Sequence, residues 1–90
     1  MEVEVGRVTH YYSHLGVAVL SLTDGLKLGD SIHIVGHSTD FFQRVTSMEI
    51  EHHSIVWAKP GGDDVAVKVN QPVHVHDMVY RVVEESLEPG

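Results

Sequence analysis

Ninety residues hold one hydrophobic core and leave no room for a second, and the absence of cysteine removes both a disulfide framework and thiolate chemistry. With 42% hydrophobic and 21% charged residues the chain has the make-up of a folded globular protein, not of a disordered one. Six Lys and Arg stand against 13 Asp and Glu, a formal charge of −7, so few cations are present to displace counterions from phosphate and general nucleic-acid binding is not expected.

Val3 and Val5 alternate with Glu2 and Glu4 as far as Gly6, after which Val8 and Tyr12 carry the other parity. A parity change at a glycine predicts a long first strand with a bulge or bend. The acidic start has neither the basic region nor the apolar run of a secretory signal, and no apolar run approaches the roughly 20 residues of a membrane helix, so a cytoplasmic protein with no membrane partner is expected. The stretch 16–22 is apolar on both faces and reads as the most buried strand. Thr23-Asp24-Gly25 turns the chain. Gly25, Gly29 and Gly36 can each take positive φ, and between the last two Ile32 and Ile34 face one way while Ser31, His33 and Val35 face the other, a strand over 31–36.

After a polar loop at 38–40, a fourth strand is predicted over 41–51. Met48 and Ile50 share a parity that Val45 lacks, which predicts an irregularity near Thr46 and Ser47. Residues 52–62 read as a crossing segment that contains a short strand within 55–58 and ends in a Pro60-Gly61-Gly62 turn. Val65, Val67 and Val69 alternate with Ala66, Lys68 and Asn70, the cleanest two-residue period of the chain. Beyond Pro72, residues 73–75 and 78–83 supply one last strand or a broken pair. The acidic segment 84–90 is read as a frayed tail, leaving 1–83 as a single domain.

Six or seven short strands with glycine and aspartate turns, and no helical period, argue for an all-β sandwich or barrel. The bulge signals favour a small antiparallel barrel, closed or partly open, filled by side chains such as Val17, Val19, Ile32, Ile34, Val65 and Val67. No phosphate-binding loop and no Gly-x-Ser-x-Gly nucleophile turn is present, and Asp63-Asp64 beside Gly61-Gly62 reads as turn chemistry. No cofactor and no catalytic set is therefore expected.

Eight histidines make the formal charge steeply pH-dependent, from −7 to +1 if all are protonated. His74 and His76, two apart on a predicted strand, would share a face within reach of His33, the weak candidates for a metal site; three or four convergent ligands are needed and the pattern offers pairs. Phe41-Phe42 and Tyr11-Tyr12 are adjacent aromatics, so on a strand one of each pair faces outward, where it can anchor a partner or pack at an edge. Trp57, in the crossing segment, is a further contact candidate or a plug over a barrel end.

Taken together, Gly6-x-Val8, the strand 16–22, the run from Gly25 through Gly29-Asp30-x-Ile32-x-Ile34-x-Gly36, Val45-x-Ser47-Met48-x-Ile50, and the run from Ala58 through Gly61 to Val65-Ala66-Val67 resemble the second domain of translational GTPases such as elongation factor Tu. The chain looks most like the small proteins called translation elongation factor-like. A related barrel also resembles the C-terminal domain of collagenase-like U-family peptidases. The resemblance implies a six-stranded barrel of the translation-factor domain 2 type and a contact with a protein or ribonucleoprotein, the ribosome or tRNA included. It carries over no nucleotide site, because the GTPase domain is missing.

The reading that follows is a non-catalytic binding module with Phe41, Phe42, Arg44, Trp57, Lys59 and Lys68 as candidate contacts. Its alternative is an accessory subunit or detached terminal domain of a collagenase-like peptidase. A histidine-based metal protein is the minor third.

Overall fold

A computed structural model describes residues 1–83, so the tail expected at 84–90 lies outside the described residues. Ten strands form among them: β1 Glu2–Tyr12, β2 Val17–Leu22, β3 Leu26–Lys27, β4 Ser31–Val35, β5 Asp40–Arg44, β6 Met48–Ile50, β7 His53–Ser54, β8 Trp57–Ala58, β9 Val65–Lys68 and β10 Met78–Val82. Every pairing is antiparallel. Eight strands make one sheet in the order β5-β4-β10-β1-β2-β9-β6-β7, and β3 pairs with β8 apart from it.

The all-β antiparallel reading holds, but the sheet does not close into a six-stranded barrel: its end strands, β5 and β7, do not pair. At the β5 end a side chain takes the place of a ladder. Gln43 is buried, and its amide donates to the Lys68 carbonyl at 2.9 Å and the Arg44 carbonyl at 3.1 Å while its oxygen accepts from the Asn70 N–H at 2.7 Å. That clasp joins β5 to the end of β9, where backbone pairing alone would have required closure.

The first strand is bulged as its parity change predicts. Its register against β10 shifts between Glu4 and Gly6, and its register against β2 shifts between Val8 and His10. These shifts let one strand pair with β10 over its first half and β2 over its second, turning the sheet about its core. The predicted long strand at 41–51 is broken into β5 and β6. Val45 donates to the Asp30 carbonyl and its own carbonyl accepts from the Gly29 N–H, which carries the contact with the start of β4 one residue past Arg44, and the chain leaves it over Thr46 and Ser47 before β6 begins. Residues 73–75 are not strand. His74 to Asp77 is a turn closed by the Asp77 N–H on the His74 carbonyl at 3.1 Å.

The core contains Val5, Val8, Leu20, Ile32, Ile34, Met48, Val65, Val67 and Val79, each at most 2% exposed. Val17 and Val19, expected inside, lie half-buried on the outer face, while Ala18, Leu20 and Leu22 point inward. A strand apolar on both faces does not announce its inner side. Of the three glycines around β4, Gly29 has positive φ at 90° and Gly25 and Gly36 do not. Gly36 is required for space instead, since the Asp77 carboxylate occupies the position a β-carbon there would take.

Candidate functional site

Alternation along β5 sorts the Phe41-Phe42 pair. Phe41 packs in the core at 6% exposure, whereas Phe42 stands 61% exposed on the outer face. The candidate contact Phe41 is therefore a core residue. Beneath Phe42 lies His33 of β4, its cross-strand partner, with ring centroids 3.9 Å apart and planes within 12° of parallel.

His33 is held from both sides. Its Nδ1 lies 2.7 Å from Glu2 Oε1 on β1, and its Nε2 lies 2.5 Å from Asp40 Oδ1 on β5. Burial of the ring alone lowers its pKa, but the hydrogen bonds to Asp40 and Glu2, with the charges of both carboxylates, outweigh burial and leave it raised above 6.5. His33 is one of the three weak candidates for a metal site, with His74 and His76. Both of its nitrogens are instead committed to carboxylates, and His74 and His76 sit in a turn, not on a strand, with His76 at φ 79°. The same-face argument for that pair therefore fails. Among the described residues no group of three or more His, Asp or Glu side chains is arranged to hold a metal ion.

Thr39, His74 and Asp77 have the composition of a nucleophile, a base and an orienting carboxylate. The Thr39 hydroxyl lies 3.2 Å from His74 Nδ1, and the Asp77 carboxylate lies 3.8 Å from the same nitrogen. A proton relay needs the hydroxyl on one ring nitrogen and the carboxylate on the other. Here the carboxylate lies on the hydroxyl's side of the ring and beyond hydrogen-bond distance of it; Asp77 is buried and accepts instead from the His74 backbone N–H at 2.8 Å, which closes the loop.

Trp57 of β8 is 57% exposed and pairs across the small sheet with Lys27 of β3, while their neighbours Leu26 and Ala58 are buried. Beside it lies a hollow of about 300 Å³ lined by Gly25, Leu26, Lys27, Asp30, Trp57 and Arg81. Arg81 donates to the Gly25 carbonyl and lies 3.5 Å from Asp24, which fixes its guanidinium at the rim. Val56 and Leu28, 70% and 43% exposed and joined by the Leu28 N–H on the Val56 carbonyl, have the opposite parity to Trp57 and Lys27 and line a separate hollow with Met48 and Ile55.

The remaining predicted cations are not gathered round this surface as a set. Arg44 donates to the Gly29 carbonyl at 3.0 Å, Lys68 to the Leu15 carbonyl at 2.7 Å, and Lys59 is exposed with its stem against Gly62. Phe42 and Trp57 lie on different sheets. Lys27 and Arg81, which border the Trp57 hollow, were missed by sequence reasoning. Lys27 could have been found from the turn that makes β3 face the crossing segment, but Arg81 had no local signal.

The chain matches no protein-family profile. It is 39% identical over 84 residues, 92% of its length, to an uncharacterized protease of Methanocaldococcus jannaschii, and it spans 20% of that protein's length. Two crystal structures of the C-terminal domain of a Geobacillus thermoleovorans protein classed as a U32 peptidase, one a selenomethionine variant, share its fold. Their TM-scores are 0.82 and 0.79 at 21% and 22% identity, covering 88% and 84% of this chain and 91% and 95% of theirs. The peptidase side of the resemblance read from the residues is supported by these matches. They lend none to its translation-factor side.

Proposed function

We propose that this chain is a non-catalytic docking module of the kind found as the terminal domain of collagenase-like U32 peptidases, acting as an accessory subunit or detached terminal domain beside a catalytic partner. The observation that carries this reading is the similarity of nearly the whole chain to one fifth of a much longer protease, together with a fold shared with a peptidase's C-terminal domain. A part repeated at that size within a larger protein is a module, and fold alone assigns it no chemistry.

The contact surface in this reading is the Trp57 face, with Lys27 and Arg81 at its rim, since exposed aromatic and arginine side chains held at a fixed position supply most of the energy of an interface. Phe42 is a second contact point. The test is co-purification of the tagged chain with a U32-type peptidase from the same cells, followed by binding measurements on the purified pair with Trp57→Ala and Phe42→Ala. A peptidase partner whose affinity falls at least tenfold with Trp57→Ala supports the proposal. Cosedimentation with ribosomes and no peptidase partner would replace it with the translation-related reading.

A further inference from the structure

Two acceptor-only groups face the two ring nitrogens of His33: Glu2 Oε1 at Nδ1 and Asp40 Oδ1 at Nε2, at 2.7 and 2.5 Å. An ionised carboxylate can only accept, and a neutral imidazole has one N–H and one lone pair. Only the imidazolium satisfies both sides at once. In the neutral ring one nitrogen lone pair would point at a carboxylate at hydrogen-bond distance, so loss of the proton breaks one of the two contacts.

These contacts span the width of four neighbouring strands. In the order β5-β4-β10-β1, His33 of β4 reaches outward to Asp40 on the edge strand β5 and across β10 to Glu2 on β1. Tyr80 of β10 lies directly opposite His33 in register, and Glu4 of β1 lies opposite Tyr80, so these are the next titratable groups on this face. Arg44 is paired with Ser31 at the far end of β5 and is drawn away to the Gly29 carbonyl. No other cation of the described ladder stands opposite His33 to replace its charge. The two carboxylates differ in exposure: the Asp40 side chain is 74% exposed and that of Glu2 37%. Asp40 therefore returns to water at the lower cost.

We propose that His33 is a proton-operated latch on the edge strand β5: as imidazolium it holds β1 and β5 together, and on deprotonation it keeps Nδ1–H on Glu2 and releases Asp40. Release frees the start of β5 and loosens the seat of Phe42, whose ring lies flat on His33. The opposite end of β5 stays clasped by Gln43, so the strand opens from Asp40 and not from Arg44. The latch is a property of the fold and stands whatever the domain docks on.

The experiment is a pH titration of the full chain by nitrogen-15 NMR of the histidine rings, with amide-exchange protection factors along β5 corrected for the intrinsic pH dependence of exchange. His33 is expected to titrate above 6.5, to pass into the Nδ1–H tautomer, and to lower β5 protection by roughly two- to fivefold as it does so, the scale of an exposed ion pair. Asp40→Asn and Asp40→Ala are each expected to lower the His33 pKa, and Asp40→Ala, which leaves Nε2 no partner at this position, to hold β5 at its unlatched protection at every pH, with Glu2→Gln lowering the pKa as well. His33→Gln is expected to abolish the pH dependence of β5 protection. Titration at or below 6.5, a neutral Nε2–H tautomer, unchanged protection across the titration, or an unaltered His33 pKa in Asp40→Asn would each overturn the proposal.

Discussion

Gly36 leaves open the space that the Asp77 carboxylate fills. The two residues are far apart in sequence but adjacent across the β4–β10 pairing, where Val35 is paired with Met78. The carboxylate cannot swing aside, because it is buried and accepts the His74 N–H at 2.8 Å. Gly36→Ala is therefore expected to expel Asp77 and open the 74–77 turn. The combined cost of overpacking and of leaving a buried polar group unmet is about 2–4 kcal/mol by chemical denaturation. Asp77→Asn keeps the shape and an acceptor oxygen, so it should cost less than Asp77→Ala.

The same reasoning applies more severely at Gly6. A β-carbon there would overlap the backbone carbonyl of Ser21, and the backbone of paired strands has no rotamer through which to retreat. Gly6→Ala is expected to cost at least about 3 kcal/mol, measured by thermal unfolding, because it removes the bulge that lets β1 pair with two neighbours.

Gly6 also marks how much the residues themselves reveal. Its parity change predicted the bulge, and the alternation of Val65 and Val67 predicted β9, because both are local patterns with a two-residue period. The inner face of β2 was not legible: Val17 to Leu22 is apolar on both sides, so parity could not choose between Val19 and Leu20. The β6–β7 hairpin turns at Glu51 and His52, with φ of 50° and 65°, without the Asn-Gly or Asp-Gly pair that signals such turns. At the candidate site, the exposure of one residue of Phe41-Phe42 followed from alternation. The Glu2–His33–Asp40 contact did not, since its members are 31 and 7 residues apart and meet only through the order of the strands.

Phe41 and Phe42 allow one substitution to be made on each face of the same strand. Phe41→Ala removes a ring that is 6% exposed and is expected to cost about 3–5 kcal/mol. Phe42→Ala removes one that is 61% exposed and should cost under about 1 kcal/mol by the same unfolding measurement. Equal losses would mean that β5 is not held in this register.

Gln43 substitutes for strand pairing at the open end of the sheet, and its removal tests how much that clasp contributes. Gln43→Ala strands the Asn70 N–H and the Lys68 carbonyl, while a full-length apolar replacement, Gln43→Met, fills the same volume without restoring either bond. Both are expected to lose about 1–3 kcal/mol, with Gln43→Met no better than Gln43→Ala by more than about 1 kcal/mol. Amide exchange should rise in β5 and around Asn70 together. Faster exchange in only one of the two would show that Gln43 does not couple them.

The raised pKa of His33 sets the sign of one pH effect on stability. In the unfolded chain the ring titrates near its ordinary 6.5; in the folded protein it holds its proton to higher pH, because the Asp40 and Glu2 interactions outweigh burial. Below 6.5 both states bind the proton and the contribution is fully present. Between 6.5 and the raised folded value the unfolded state has lost its proton and the folded state has not, so stability falls as pH increases, and above the folded value the contribution is gone. Because the Asp40 side chain is 74% exposed, the contribution is about 0.5–1 kcal/mol, discounted for solvent screening. Denaturant midpoints measured from pH 5.5 to 8.5 should show this decline in the native sequence and a shallower one in His33→Gln. Moderate salt should flatten it, as it does for any exposed ion pair. A native profile that rises over this range, or one that His33→Gln reproduces, would assign the pH dependence to the other histidines.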